Sequence, residues 1–206
     1  VSAVGGAGLA AQIEVIQAAK EAGVQLFVPA EYGLKVVDGP LIGKKVVRDA
    51  LKEANLPYTL FFTTLFYEFV PFLFELNAEA GTIRVVGDGK ATFTLGARSE
   101  VARVIAHIVS TASKTSLEWA EIPIEGDRLS QLDVVAINEK KLGKKLTINY
   151  VDYEENKKGY LTDFKGFFTT VLADGRGVSG TEEEVAEAKT KFFSESALTS
   201  YETFLA

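Results

Sequence analysis

Two adjacent lysines, Lys44 and Lys45, fall in the opening turns of a helix read over residues 41–54. The positive end of the helix dipole opposes cations there, so their placement runs against the usual charge pattern. A lysine at such a position, beside another ammonium and partly buried, has its pKa lowered toward the range useful for moving protons. Successive helical residues point about 100° apart, so the two cannot share one task. On these residues alone, a pair of solvated surface lysines is the simpler reading. Gly5-Gly6-Ala7-Gly8 precedes a helix and is either a tight turn or a place where backbone approaches a bound group. Phe27, Pro29, Ala30 and Glu31 lie at the carboxyl end of a short apolar run, the edge where open α/β sheets bind ligands. Thr63 and Thr64 end a strand on the same edge. Aromatic residues from 61 to 74, Phe66 and Phe69 among them, form core or wall a pocket for a flat apolar molecule, and core is the commoner outcome. Tyr153 and Lys157 have the Y-x-x-x-K spacing of a dehydrogenase pair, but they lie in a charged stretch beyond the sheet and are read as chance. His107, on the boundary of a helix face, reads as structural.

The elements that must position these groups follow from periodicity. Leu9, Ile13 and Ile16 recur at helical spacing over residues 8–22, and Gly23 ends that helix. Val24 to Pro29 and Tyr58 to Thr63 are nearly all-apolar runs, as parallel strands covered on both faces should be. With a strand stub at residues 1–4 and the 41–54 helix, the order is strand, helix, strand, helix, strand, the pattern of an open parallel sheet. Beyond it, residues 82–86 and 91–95 flank Gly87-Asp88-Gly89-Lys90 and predict a hairpin. Helices are expected over 98–112, from an N-cap at Ser130 to Leu142, and after Thr181; strands are expected near 121–124 and 146–151. Residues 154–180 show little periodicity.

Composition removes several function classes. Net charge is −6 with no basic stripe, which argues against nucleic acid as a direct partner. The absence of cysteine excludes thiol nucleophiles and thiolate metal sites, and a single histidine makes a metal site unexpected. The longest apolar candidate, Phe66 to Leu76, carries Glu68 and Glu75 and is too short to span a membrane, so the expectation is a cytoplasmic protein. There is no methionine and no G-x-G-x-x-G turn, so the chain reads as the second half of a dinucleotide-binding domain whose first half is missing. Such a half should bind a dinucleotide poorly alone and expose a strand edge.

Val28-Pro29-Ala30-Glu31-Tyr32-Gly33 resembles the F-x-P-S-E-F-G segment of the isoflavone-reductase-like, or NmrA-like, branch of the atypical short-chain dehydrogenases. Ser2-Ala3-Val4-Gly5-Gly6 is similar to the end of that family's fourth strand. Lys44-Lys45-Val46-Val47-Arg48 with Leu56-Pro57-Tyr58-Thr59 resembles its K-x-x-[IV]-R helix and the following I-P-Y-T. The serine of the first motif is Ala30 here, and the family's N-terminal glycine turn and 2′-phosphate-selecting residue are absent. The resemblance implies an α/β fold: a partial NAD(P)-binding Rossmann domain with helices on both faces of a parallel sheet, over residues 1–112, and a mostly substrate-binding domain over 113–206, with 65–80 reaching the pocket. It implies NADPH as cofactor, bound by Val4, Gly5, Gly6, Phe27, Pro29, Ala30, Glu31, Lys44 and Thr63, and a small aromatic substrate against Tyr32, Phe66 and Phe69. It makes Lys44 the general acid/base of a reductase. Its alternative is a non-enzymatic NAD(P) sensor that binds a regulatory protein partner. A third outcome is that these residues alone are inactive, for want of the pyrophosphate-gripping turn.

Overall fold

The computed structural model describes residues 1–5, 8–63 and 65–206; Gly6, Ala7 and Thr64 lie outside the described residues. Its central sheet is a short one. β1 (Thr59–Phe62) pairs in parallel with β5 (Ala120–Pro123), Thr59 opposite Ala120 and Phe62 opposite Pro123. On the other side of β1, the run expected as a strand over 24–29 contributes a single parallel bridge, Phe27 to Tyr58. Phe27 N–H donates to Pro57 O at 2.8 Å, and Thr59 N–H donates to Phe27 O at 3.1 Å. Pro29 has no N–H for a ladder, and Glu31 N–H folds back onto Pro29 O, which ends the pairing early. The expected stub at residues 1–4 is likewise reduced to one bond, Ser2 N–H to Val28 O at 2.8 Å.

Both faces of this sheet are covered, which is why its residues read as unbroken apolar runs. α1 (Gln12–Glu21) and α2 (Ile42–Glu53) pack Ile16, Val47 and Leu51 against Phe27, Leu60 and Phe62. α4 (Arg98–Thr111) and α9 (Glu182–Phe192) pack Val101, Val104, Ile108 and Ala188 against Val28, Phe61 and Ile122 on the opposite face. Adjacent β1 residues thus feed different clusters, as the pleat requires. The inward stripe of α1 is Gln12 and Ile16, continued by Leu9 in the turn before it; Ile13, assigned to the stripe from spacing, is 39% exposed.

The expected hairpin is not formed. β3 (Thr82–Val86) pairs in parallel with β7 (Thr147–Val151), while β4 (Thr92–Gly96) pairs in parallel with β2 (Leu65–Phe66) and antiparallel with β6 (Asp127–Ser130). Gly87 and Gly89 do take positive φ, 67° and 72°, so the turn chemistry is as read. Its partner was not. The Gln131 side chain accepts from Val86 N–H at 3.0 Å and donates to Val86 O at 2.9 Å, closing the end of β3 with an amide in place of a neighbouring strand. α6 (Gln131–Leu142) starts at that glutamine with the expected Ser130 N-cap, completed into a capping box by Asp133. α9 begins with the corresponding box of Thr181 and Glu184. Two helices form in the region that showed little periodicity: α7 (Tyr153–Lys157) and α8 (Phe164–Ala173). α8 is buried from Gly166 through Leu172 and so has no polar face to set a period. With Leu34, Leu65, Tyr67, Phe74 and Phe93 it forms a second core beyond the carboxyl edge of the sheet.

Candidate functional site

A cavity of about 230 Å³ lies between that edge and the second core. Its floor is Val4, Gly5 and Ala30; Tyr32, Phe66 and Phe69 form one wall, and Leu41, Phe164 and Phe168 another. Among the described residues Lys44 is the single charged side chain lining it. The sequence reading had Lys44, Val4, Gly5, Ala30, Tyr32, Phe66 and Phe69 as site residues, and the structure brings all seven together here. Phe27, Pro29, Glu31 and Thr63 stand behind the wall: all four are buried, and none lines the cavity. Thr63 N–H donates to Gly33 O at 2.9 Å, and its hydroxyl has no partner among the described residues.

Lys44 sits on the inward stripe of α2 with Val47 and Leu51, at i, i+3 and i+7, which carries its amine under the Pro29–Gly33 rim. It is 7% exposed. Nζ donates to Glu31 O at 2.5 Å and to Tyr32 O at 3.4 Å. The nearest charge is the Glu31 carboxylate at 4.0 Å. That carboxylate is engaged by the guanidinium of Arg48, one turn along α2, through Nε to Oε2 at 2.9 Å and NH2 to Oε1 at 2.6 Å. Burial holds the Lys44 pKa below the ordinary lysine value; the Glu31 carboxylate opposes that shift and the Arg48 cation adds to it. Lys45, expected to contribute a neighbouring charge, points outward to Asp49 at 2.6 Å.

Two polar residues that support the rim carried no assigned role in the sequence. Arg48 was visible only as the last letter of a motif. Gln12, 1% exposed, was hidden by its place in an apolar stripe; its side-chain oxygen accepts from Ala30 N–H at 2.8 Å and pins the rim from the α1 side. The Tyr32 hydroxyl donates to Ser2 O at 2.9 Å, and burial raises its pKa. Of the aromatic stretch, Phe61, Phe62, Tyr67 and Phe74 are core, whereas Phe66 and Phe69 face the cavity. The Tyr153–Lys157 pair lies elsewhere: Lys157 is exposed, and the Tyr153 hydroxyl donates to Asp174 at 3.1 Å. These two do occupy a helix, α7, but no core strand follows it. His107 is exposed on α4. Among the described residues no group of His, Asp or Glu is arranged to hold a metal, and no helix is long and apolar enough to cross a membrane.

A model of the NmrA-like family matches residues 1–204. The chain belongs to the NmrA-like family. It is 28% identical over 196 residues to a phenylcoumaran benzylic ether reductase of Ginkgo biloba, covering 88% of this chain and 64% of that one. It is 27% identical over 157 residues to an isoflavone reductase of Medicago sativa, covering 70% of this chain and 49% of that one. This NmrA-like chain therefore spans about half to two thirds of the length of these curated relatives. The fold agrees with that of a leucoanthocyanidin reductase from Vitis vinifera solved with NADPH, at a TM-score of 0.82 and 18% identity, over 99% of this chain and 72% of that one. The α/β architecture with parallel pairing is thus that of NAD(P)-binding reductases.

Proposed function

We propose that this NmrA-like chain carries the nicotinamide and substrate side of an NADPH-dependent reductase of small aromatic molecules, with Lys44 as its general acid/base. The observation that carries this reading is one buried amine in the wall of an otherwise apolar, aromatic-lined cavity at the carboxyl edge of a parallel sheet. The residues fit the nicotinamide end of the cofactor. Among the described residues a Cβ built on Gly5 meets nothing within 4 Å, leaving room for a ring beside Val4 and Ala30. When bound, NADPH supplies the hydride. Lys44 moves a proton at a substrate oxygen, Phe66 and Phe69 stack on the substrate ring, and Leu41, Phe164 and Phe168 keep water from the amine. In this reading residues 1–112 make most of the cofactor side, joined by β5 and α9, with 65–80 and α8 shaping the substrate side. Activity requires a pyrophosphate-gripping turn of a kind this sequence does not contain.

The reductase names of the relatives support the substrate class. The test is transfer of deuterium from C4-labelled NADPH to a panel of flat phenolic substrates by the full-length protein. Label recovered on a product supports the proposal. NADPH binding with no label transferred to any member of the panel refutes it and leaves the sensing alternative, in which a buried proton-transfer amine has no task.

A further inference from the structure

The Lys44 amine has three positions for hydrogen bonds, and two of them are used among the described residues. Protonated, it is a three-donor group; neutral, it has two N–H bonds and a lone pair. Main-chain carbonyls of Glu31 and Tyr32 take two N–H bonds in either state. The third position is kept clear from two directions. A Cβ on Gly33 would stand 3.1 Å from Nζ, so the bare Cα of that glycine provides the space beside the amine. The buried Glu31 carboxylate, the obvious ion-pair partner, stops 4.0 Å short because both of its oxygens are engaged by Arg48. Freed from Arg48, it would need only a small side-chain rotation to bond Nζ directly.

We propose that Arg48 and Glu31 are positioning residues for Lys44: Arg48 draws the carboxylate away, and the locked Glu31 backbone presents its carbonyl, so that the amine's third position stays open to the cavity. Only a proton need then move between the acid and base forms, with no rotation of the side chain. The inference rests on the role given to Lys44 above, but the arrangement is testable without cofactor or substrate. The charged groups near Nζ are Glu31 on the rim loop and Arg48 on the same helix. Lys45 is paired with Asp49, Lys35 with Glu184 on α9, and the Tyr32 phenol with Ser2 O.

The experiment is competitive labelling with trace acetic anhydride from about pH 6 to about pH 11, each lysine read by peptide mass spectrometry in the chain as it exists. Burial sets the plateau rate of Lys44 and lowers its midpoint, so a midpoint that moves between folded variants with an unchanged plateau reports which charges face the amine. Arg48→Met should release Glu31 onto Lys44 and raise the midpoint by about one pH unit or more, a roughly tenfold slower reaction near neutrality. Glu31→Gln should move the midpoint the opposite way. Arg48→Lys keeps the cation but not the two-point grip, so it should raise the midpoint by less; it also carries the test should the methionine variant not fold. A midpoint unchanged in the folded variants, with only plateau rates altered, would show Glu31 and Arg48 to be a structural pair and overturn the proposal. Because no NADPH is present, a protein that proved not to be a reductase would leave this result standing.

Discussion

Lys44→Met should remove an alkaline rise in folding stability. The amine is 7% exposed and its pKa lies below the ordinary 10.5, first because burial disfavours the charged form. Below the folded-state pKa, Lys44 is protonated in both states and the native protein carries the whole cost of the buried charge. Between that pKa and 10.5 the unfolded chain still holds a proton that the native state has released, so native stability rises with pH. Above 10.5 both forms are neutral and the cost is gone. Each pH unit by which the folded value lies below 10.5 is worth about 1.4 kcal/mol. In a domain of this size that corresponds to a Tm change of roughly 3–5 °C. Burial raises the pKa of the Tyr32, Tyr58 and Tyr201 hydroxyls, which lowers stability above pH 10 or so; this contribution is common to both proteins and cancels in their difference. Methionine keeps the unbranched stem and fills the same channel. The assay is urea unfolding of wild type and Lys44→Met at a series of pH values from about 7 to about 10.5, with the stability difference plotted against pH. The methionine variant should be relatively most stable at the neutral end and lose that advantage as pH rises. A flat difference would mean that the native amine keeps its ordinary pKa, contradicting the burial argument.

Other residues offer independent checks. Gly33→Ala forces a side chain onto a φ of 153° and into the space beside Nζ; it should cost about 1–3 kcal/mol in chemical denaturation and change the Lys44 labelling rate. Gln131→Ala strands the N–H and C=O of Val86 at the end of β3, and a loss of about 2–4 kcal/mol is expected by calorimetry, more than an exposed glutamine on α6 would cost. Tyr153→Phe removes only a partly exposed bond to Asp174, so turnover of the full-length protein should be unchanged and stability should fall by no more than about 1 kcal/mol; a large loss of activity would restore the Y-x-x-x-K pair as a catalytic candidate.

What was legible in the sequence is what short-range physics fixes. The N-caps Ser130 and Thr181 are local signals, and both helices begin where they direct. Buried apolar runs announced a parallel sheet covered on both faces, and β1 and β5 form it. The strand lengths were not legible, because Pro29 and the fold-back of Glu31 reduce the 24–29 run to the Phe27 bridge. The hairpin failed for a related reason: a correct local turn signal was outcompeted by Gln131, 45 positions from its partner Val86. At the site, the helix that carries Lys44 could be read, but its residues alone favoured a solvated lysine, and only the family resemblance placed Lys44, Phe66 and Phe69 at a pocket. The source of the lowered Lys44 pKa could not be read, since it comes from burial under a rim held by Gln12 and Arg48 across 18 and 17 positions. Periodicity carries no record of such long-range polar partners.

The central claim is that the amine at position 44 transfers a proton during reduction of a bound aromatic molecule. Single-turnover NADPH oxidation by the full-length protein, wild type against Lys44→Met, with NADPH affinity measured in parallel, tests it most directly. The expected result is a chemical step slowed by about 10²–10⁴-fold with cofactor affinity nearly unchanged, the range for loss of one general acid/base. An undiminished rate in the methionine variant would contradict the account.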